Sequence, residues 1–145
     1  MIEALHLHVH ARGVTIAPAS LLEVVELAGG QGVFVWRVLR EMWRNGQSFA
    51  FHRQGDLVAV AGIYPLRGET GYPPEHAEAW FQFAPAAGRN MLGIARLTRL
   101  TLAAQPYRCI ICHCGTREGA RFAALAGFKL QGPGPIGELW AYGHH

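Results

Sequence analysis

Charge is scarce in this 145-residue chain: Asp, Glu, Lys and Arg make up only 16% of it. Lysine is nearly absent, with Lys129 the single one among thirteen basic residues. The formal net charge of +3 is therefore carried by scattered arginines, with no dense Lys/Arg block. That argues against a specific nucleic-acid partner and leaves small anions, which the planar guanidinium fork suits, as the natural ligands of the excess charge. Long apolar runs are missing too. None approaches the ~20 residues of a membrane span, so no membrane partner is expected. The opening "MIEALHLHVH" has no basic stretch followed by an apolar one, so no secretory signal is expected either. Cysteine occurs three times, all within six residues, which excludes a disulfide framework joining distant segments. These absences together point to the cytoplasm. Half of the residues are apolar, and the length suits one domain, residues 1–145, with a buried core.

The cysteine window, "CIICHCG" (109–115), contains the C-x-x-C-H spacing of covalent haem attachment. The segment follows Pro106, is dense in Ile and Cys, and precedes a helix start, so it reads as a buried strand over 107–114. On a strand Cys109 and His113 point to one face, and Cys112 and Cys114 to the other. The two thiols of the haem motif then diverge. Cys112 and Cys114 share a face but lie ~6.5–7 Å apart along it, whereas zinc needs four converging ligands at ~2.0–2.3 Å. Neither haem nor metal is expected, and the cysteines read as small buried apolar residues. The alternating "HLHVH" run places His6, His8 and His10 on one strand face, enough for adventitious metal binding but without carboxylates marked beside them.

Along the chain the periodicities predict a strand over 4–10, a Gly/Pro break, and a helix over 21–29 capped by Ser20. A second helix over 33–45 is stopped by Gly46, and two strands flank a turn at Gln54–Asp56. A Gly/Pro-rich loop over 65–76 leads to a strand over 78–84. The helix over 89–104 is apolar on two sides and keeps Arg89, Arg96 and Arg99 on a polar stripe, as a helix packed within an α/β core does. After strand 107–114, Thr116 is placed to cap a helix that Gly127 stops.

From residue 47 onward this order resembles the second half of the GNAT superfamily of N-acyltransferases. The most specific match is "GTREGARFAALAGFKLQGPG", in which Ala120, Phe122 and Gly127-Phe128 stand where that superfamily carries an A-x-x-x-Y-x-x-x-G-F-like pattern. The compact length and this ending also resemble short GNAT-like proteins of tailed phages, some of them internal virion proteins. The resemblance implies an α/β fold with a mixed central sheet flanked by helices, and acetyl-CoA as a substrate.

In such a fold the neighbouring parallel strands, here 78–84 and 107–114, splay at their C-terminal ends, and the pantetheine arm bonds between them like an added strand. The loop after the first strand opens a helix that receives the pyrophosphate. The resemblance thus places Gln82, Phe83, Ala84, Gly88, Arg89, Asn90, Met91, Leu92 and Gly93 at the cofactor, with Thr116 and Phe122 across from them. The glycine spacing departs from the family's R/Q-x-x-G-x-G/A, Met91-Leu92 stand where small residues are usual, and Phe122 has no hydroxyl where a tyrosine acid is common. Glu78 takes the place of a general base, and Cys114 or water is left to supply the proton that Phe122 cannot.

The second helix sets Phe34, Trp36, Met42 and Trp43 among Arg37, Arg40 and Arg44, read as a core-facing stripe with a solvated arginine face. The functional expectation is an acetyl-CoA-dependent N-acetyltransferase acting on an amine that the sequence does not identify. The alternative is a catalytically inactive GNAT-fold phage or prophage protein with a structural or interaction role, whose partner is a second copy or another phage protein.

Overall fold

The computed structural model describes residues 10–28, 33–66 and 75–143. The chain opens with β1 (His10–Ala11) and β2 (Val14–Pro18), followed by α1 (Leu21–Ala28) and α2 (Val33–Asn45). Three antiparallel strands come next, β3 (Gln47–Arg53), β4 (Asp56–Pro65) and β5 (His76–Phe83). A 3-10 turn over Pro85–Asn90 enters α3 (Met91–Ala103), which crosses over to β6 (Cys109–Cys114). α4 (Arg117–Leu125), β7 (Lys129–Pro133) and β8 (Glu138–Gly143) complete the fold. The eight strands form one sheet in the order β1-β2-β3-β4-β5-β6-β8-β7, in which β5–β6 is the parallel pair.

Local chemistry explains most of these limits. Ser20 and Glu23 cap α1 reciprocally: the Glu23 amide donates to Ser20 Oγ at 3.2 Å and the Ser20 amide to Glu23 Oε1 at 2.9 Å. Thr116 Oγ1 accepts from the Gly119 amide at 3.0 Å at the start of α4. That helix stops at Gly127, whose φ of +99° suits glycine and lets the Phe128 amide reach back to the Ala123 carbonyl.

Two expectations need correction. The stretch read as a Gly/Pro break contains β2, because Arg12 (φ +52°) and Gly13 (φ +81°) make a hairpin turn between two very short strands. The helix expected from residue 89 is α-helical only from Met91, since Pro85 initiates a 3-10 turn first. The closing segment is a hairpin of two strands, turned where the Gly134 amide bonds the Gly137 carbonyl. The strand expected over 4–10 lies outside the described residues apart from His10, and His6 and His8 lie outside them as well.

The sheet is covered on both faces. One face carries Val14, Phe49, Phe51, Ala79, Ile110 and Cys112 against Ile94, Leu97 and Leu102 of α3 and Phe122 of α4. The other carries Ala50, Val60 and Trp80 against Val24 of α1 and Leu39 of α2, with Met42 and Trp43 packed alongside. Trp43 Nε1 also donates to the Ala19 carbonyl at 3.0 Å, and Arg37 and Arg44 are exposed. The α2 stripe thus faces inward for Met42 and Trp43, while the Phe34 and Trp36 side chains lie outside what is described. α3 is buried on a broad front (Gly93, Ile94, Ala95, Leu97, Thr98), and Arg89, Arg96 and Arg99 are exposed.

Candidate active site

The parallel ladder between β5 and β6 is short. It pairs His76 with Cys109, Ala77 with Ile110 and Glu78 with Ile111, and then ends, although β5 runs on to Phe83 and β6 to Cys114. Beyond Glu78, β5 keeps its ladder to β4 only. The two strands open into a V with Ala79 at its apex, and a cleft of about 510 Å³ occupies the V.

Its walls follow from strand alternation and from α4. β5 contributes Ala79 to Phe83 and then Ala84, and β6 contributes Cys112, His113 and Cys114, continuing into Gly115 and Thr116. Gly88 and Met91 close the end nearest the 3-10 turn. Phe122, 2% exposed, stands against Phe81 and Phe83 at ring distances of 4.8 and 5.0 Å, both edge-on. The aromatic cluster makes this wall apolar and stiff.

Of the residues expected at the cofactor, Gln82, Phe83, Ala84, Gly88, Met91, Thr116 and Phe122 line the cleft. Arg89 and Asn90 border an adjoining pocket of about 350 Å³ shared with Arg53, Gln54 and Asp56. The Asn90 side chain is turned inward and donates to the Ala86 carbonyl at 3.0 Å. Leu92 is exposed on α3. Gly93 faces away from the cleft, where a Cβ would come within 2.6 Å of the Ala11 carbonyl oxygen. Its lack of a side chain serves the packing of α3 on β1.

Cys114 also lines the cleft, and burial pushes its thiol up from the usual value. Cys112 is shifted further in the same direction by burial first, then by Cys114 and Glu78. Burial raises Cys109 as well. All three therefore stay protonated thiols at neutral pH. Cys109 sits on the sheet face opposite Cys112, as expected of a strand. Among the described residues no group of three or more His, Cys, Asp and Glu side chains is placed to hold a metal ion.

Glu78 lies at the last rung of the ladder, on the face shared with Trp80 and His113. Its Oε1 is 4.0 Å from His113 Nε2, and both side chains are roughly four-fifths buried. Motif reading missed His113, because in "CIICHCG" it belongs to a haem signature. The β5–β6 register sets it two residues beyond Ile111, on the face of Glu78. The V therefore has two distinct sides: Glu78, Trp80 and His113 on the α1–α2 face, and Ala79, Phe81 and Cys112 on the α3–α4 face.

Solved structures share this fold. The chain is similar to a GCN5-related N-acetyltransferase from Kribbella flavida (TM-score 0.64, 15% identity, 91% of this chain and 98% of that one). It is equally similar to an N-acetyltransferase from Staphylococcus aureus Mu50 (TM-score 0.62, 14% identity, 90% and 98%). A third, AAC(6')-Ib in complex with paromomycin and acetyl-CoA, aligns with a TM-score of 0.65 and 15% identity over 91% and 94% of the two chains. The chain has the GCN5-related N-acetyltransferase fold. The mixed sheet, with β5 and β6 parallel among the described strands, thus follows that fold at very low identity. No family model and no curated protein matches the sequence, and the narrower likeness to phage proteins finds no counterpart among these three structures.

Proposed function

We propose that the protein is an acyl-CoA-dependent N-acyltransferase, with acetyl-CoA as a donor and a small-molecule amine as acceptor. The observation that carries this reading is the early end of the β5–β6 ladder. It leaves an apolar-walled slot, open along two strand edges, in which a narrow amide-bearing arm such as pantetheine bonds as a strand does. Gly88, with nothing within 4 Å of the place a Cβ would take, and the nearby Arg89 leave room and charge for the pyrophosphate at the wide end. Neighbours of the same fold were solved with acetyl-CoA or coenzyme A and with aminoglycoside-type acceptors in the case of AAC(6')-Ib, which supports donor and acceptor classes of this kind.

The reaction in this reading is direct attack. The amine nitrogen bonds to the thioester carbonyl carbon, whose oxygen takes the electron pair. The proton lost by nitrogen passes to the Glu78–His113 pair on the α1–α2 face. The carbonyl re-forms as the C–S bond breaks, and the thiolate takes its proton from water. Cys114 is a poor donor for that last step, because a thiol raised by burial gives its proton to an ordinary thiolate only uphill. Phe122 favours a second reading, a member of the fold that has kept the slot and lost catalysis, acting through a phage or other protein partner.

Calorimetric titration with acetyl-CoA tests the proposal, with Gly88→Glu and Arg89→Glu alongside. Micromolar binding, weakened about tenfold or more by a carboxylate at either position, is the expected result. A folded protein that gives no heat with acetyl-CoA sinks the enzyme reading.

A further inference from the structure

Ala79 belongs to two spaces. It stands at the apex of the V, one residue beyond the last β5–β6 rung, and lines the cleft together with Phe81. Both also line a separate small cavity of about 20 Å³ on the other side of β5, between the sheet and α3. Phe49, Phe51 and Ala61 form its sheet wall and Leu102 its helix wall. Thr98 and Thr101 border it too, but their hydroxyls are bonded to the Ile94 and Leu97 carbonyls at 2.8 and 2.9 Å. No polar atom faces the space. An apolar space of this kind offers water no polar partner and leaves its lining short of dispersion contacts, so a hydrocarbon group that enters gains contacts.

The position of this void relative to the V gives it a use. An arm that enters from the 3-10 turn and runs between the splayed strands ends at Ala79. There the α1–α2 face offers Glu78 and His113, and the α3 face offers the void behind the Ala79 methyl and the half-buried Phe81 ring. A thioester carbonyl at the apex thus has a polar side for the amine and an apolar side for its tail.

We propose that the void is an acyl-chain pocket, and that the preferred donors are straight-chain acyl-CoAs of three to four carbons. The inference rests on the acyltransferase reading of the cleft. A space near one water-sized sphere admits only one or two carbons beyond acetyl. Each of these gains ~4-fold in affinity, the equivalent of a buried methylene, and longer chains must displace Phe81 or Leu102 and bind less well.

The test is calorimetry with CoA, acetyl-CoA, propionyl-CoA, butyryl-CoA and octanoyl-CoA. Two variants accompany the wild type, Ala61→Val to fill the void and Phe49→Leu to enlarge it, each checked for cooperative unfolding. Expected are a rise of ~4-fold per carbon from acetyl to butyryl, a fall at octanoyl, a flat series in Ala61→Val and an optimum moved to longer chains in Phe49→Leu. If either variant does not fold, the other still reads the pocket. Acetyl-CoA binding as well as or better than propionyl- and butyryl-CoA would overturn the pocket and leave the acyltransferase reading standing, since CoA binds. No binding of CoA or any thioester overturns both.

Discussion

The Trp80 indole fills the space above Gly62, its partner across the β4–β5 ladder; a methyl group at residue 62 would overlap Nε1, Cε2 and Cζ2 of the ring. Trp80 is 8% exposed and forms both a wall of the cleft and the centre of the α1–α2 core. Gly62→Ala is therefore expected to destabilise the fold by ~1–3 kcal/mol through overpacking. Urea unfolding followed by tryptophan emission reads the cost. Acetyl-CoA titration of the same variant reads the displaced wall as weaker binding.

His113 and Glu78 make a second expectation. With an amine that the wild type acetylates, His113→Ala and Glu78→Gln should each lower kcat by ~100-fold, the scale of general-base assistance. The Kd for acetyl-CoA should stay within about twofold, because neither side chain is asked to hold the donor. The double variant should be little worse than either single one if the two act as a unit. An affinity loss as large as the rate loss would show that they build the slot and do not move the proton.

The buried thiols couple stability to pH. The folded-state pKa of Cys112 is raised, so folding holds its proton while the unfolded chain releases it. Its contribution is complete below roughly pH 8.5, where a free thiol ionises, and is lost as the pH climbs from there toward the folded value. The slope attributable to one such group is at most ~1.4 kcal/mol per pH unit. Denaturation midpoints measured from pH 7 to 10.5 should fall above that onset, and less steeply in Cys112→Ala. Parallel curves for the two proteins would count against this assignment.

Much of the architecture was legible locally. The α2 limits, the Ser20 and Thr116 caps and the Gly127 stop depend on contacts within a few residues, and each reads directly from residue type and spacing. β2 was not legible. Its five residues follow Gly13 and end in Pro18, and its partner β1 is two residues long, so only pairing with β3 reveals it as a strand. The site divides in the same way. That β5 and β6 flank a slot was implied by the resemblance to the GNAT superfamily, but where their ladder stops depends on long-range register, and the Glu78–His113 approach depends on it too. Gly93 shows the converse: the resemblance put it in the phosphate loop although the glycine spacing departs from the family's, and its close neighbour is the Ala11 carbonyl, across more than eighty residues of chain.

The opening at Ala79 also bears on the life of the protein before any ligand arrives. Exposed strand edges are templates for pairing with other chains, and proteins usually protect them with charge, bulges or closure. Here two edges face each other across a concave gap lined by Phe81, Phe83 and Phe122, which closes at its apex where the β5–β6 ladder begins. Geometry thus screens the sheet against aggregation and still admits a thin, unbranched chain. In the acyl-CoA reading, the donor that completes the ladder is a missing structural part, and its concentration helps to set the fraction of the protein that stays folded.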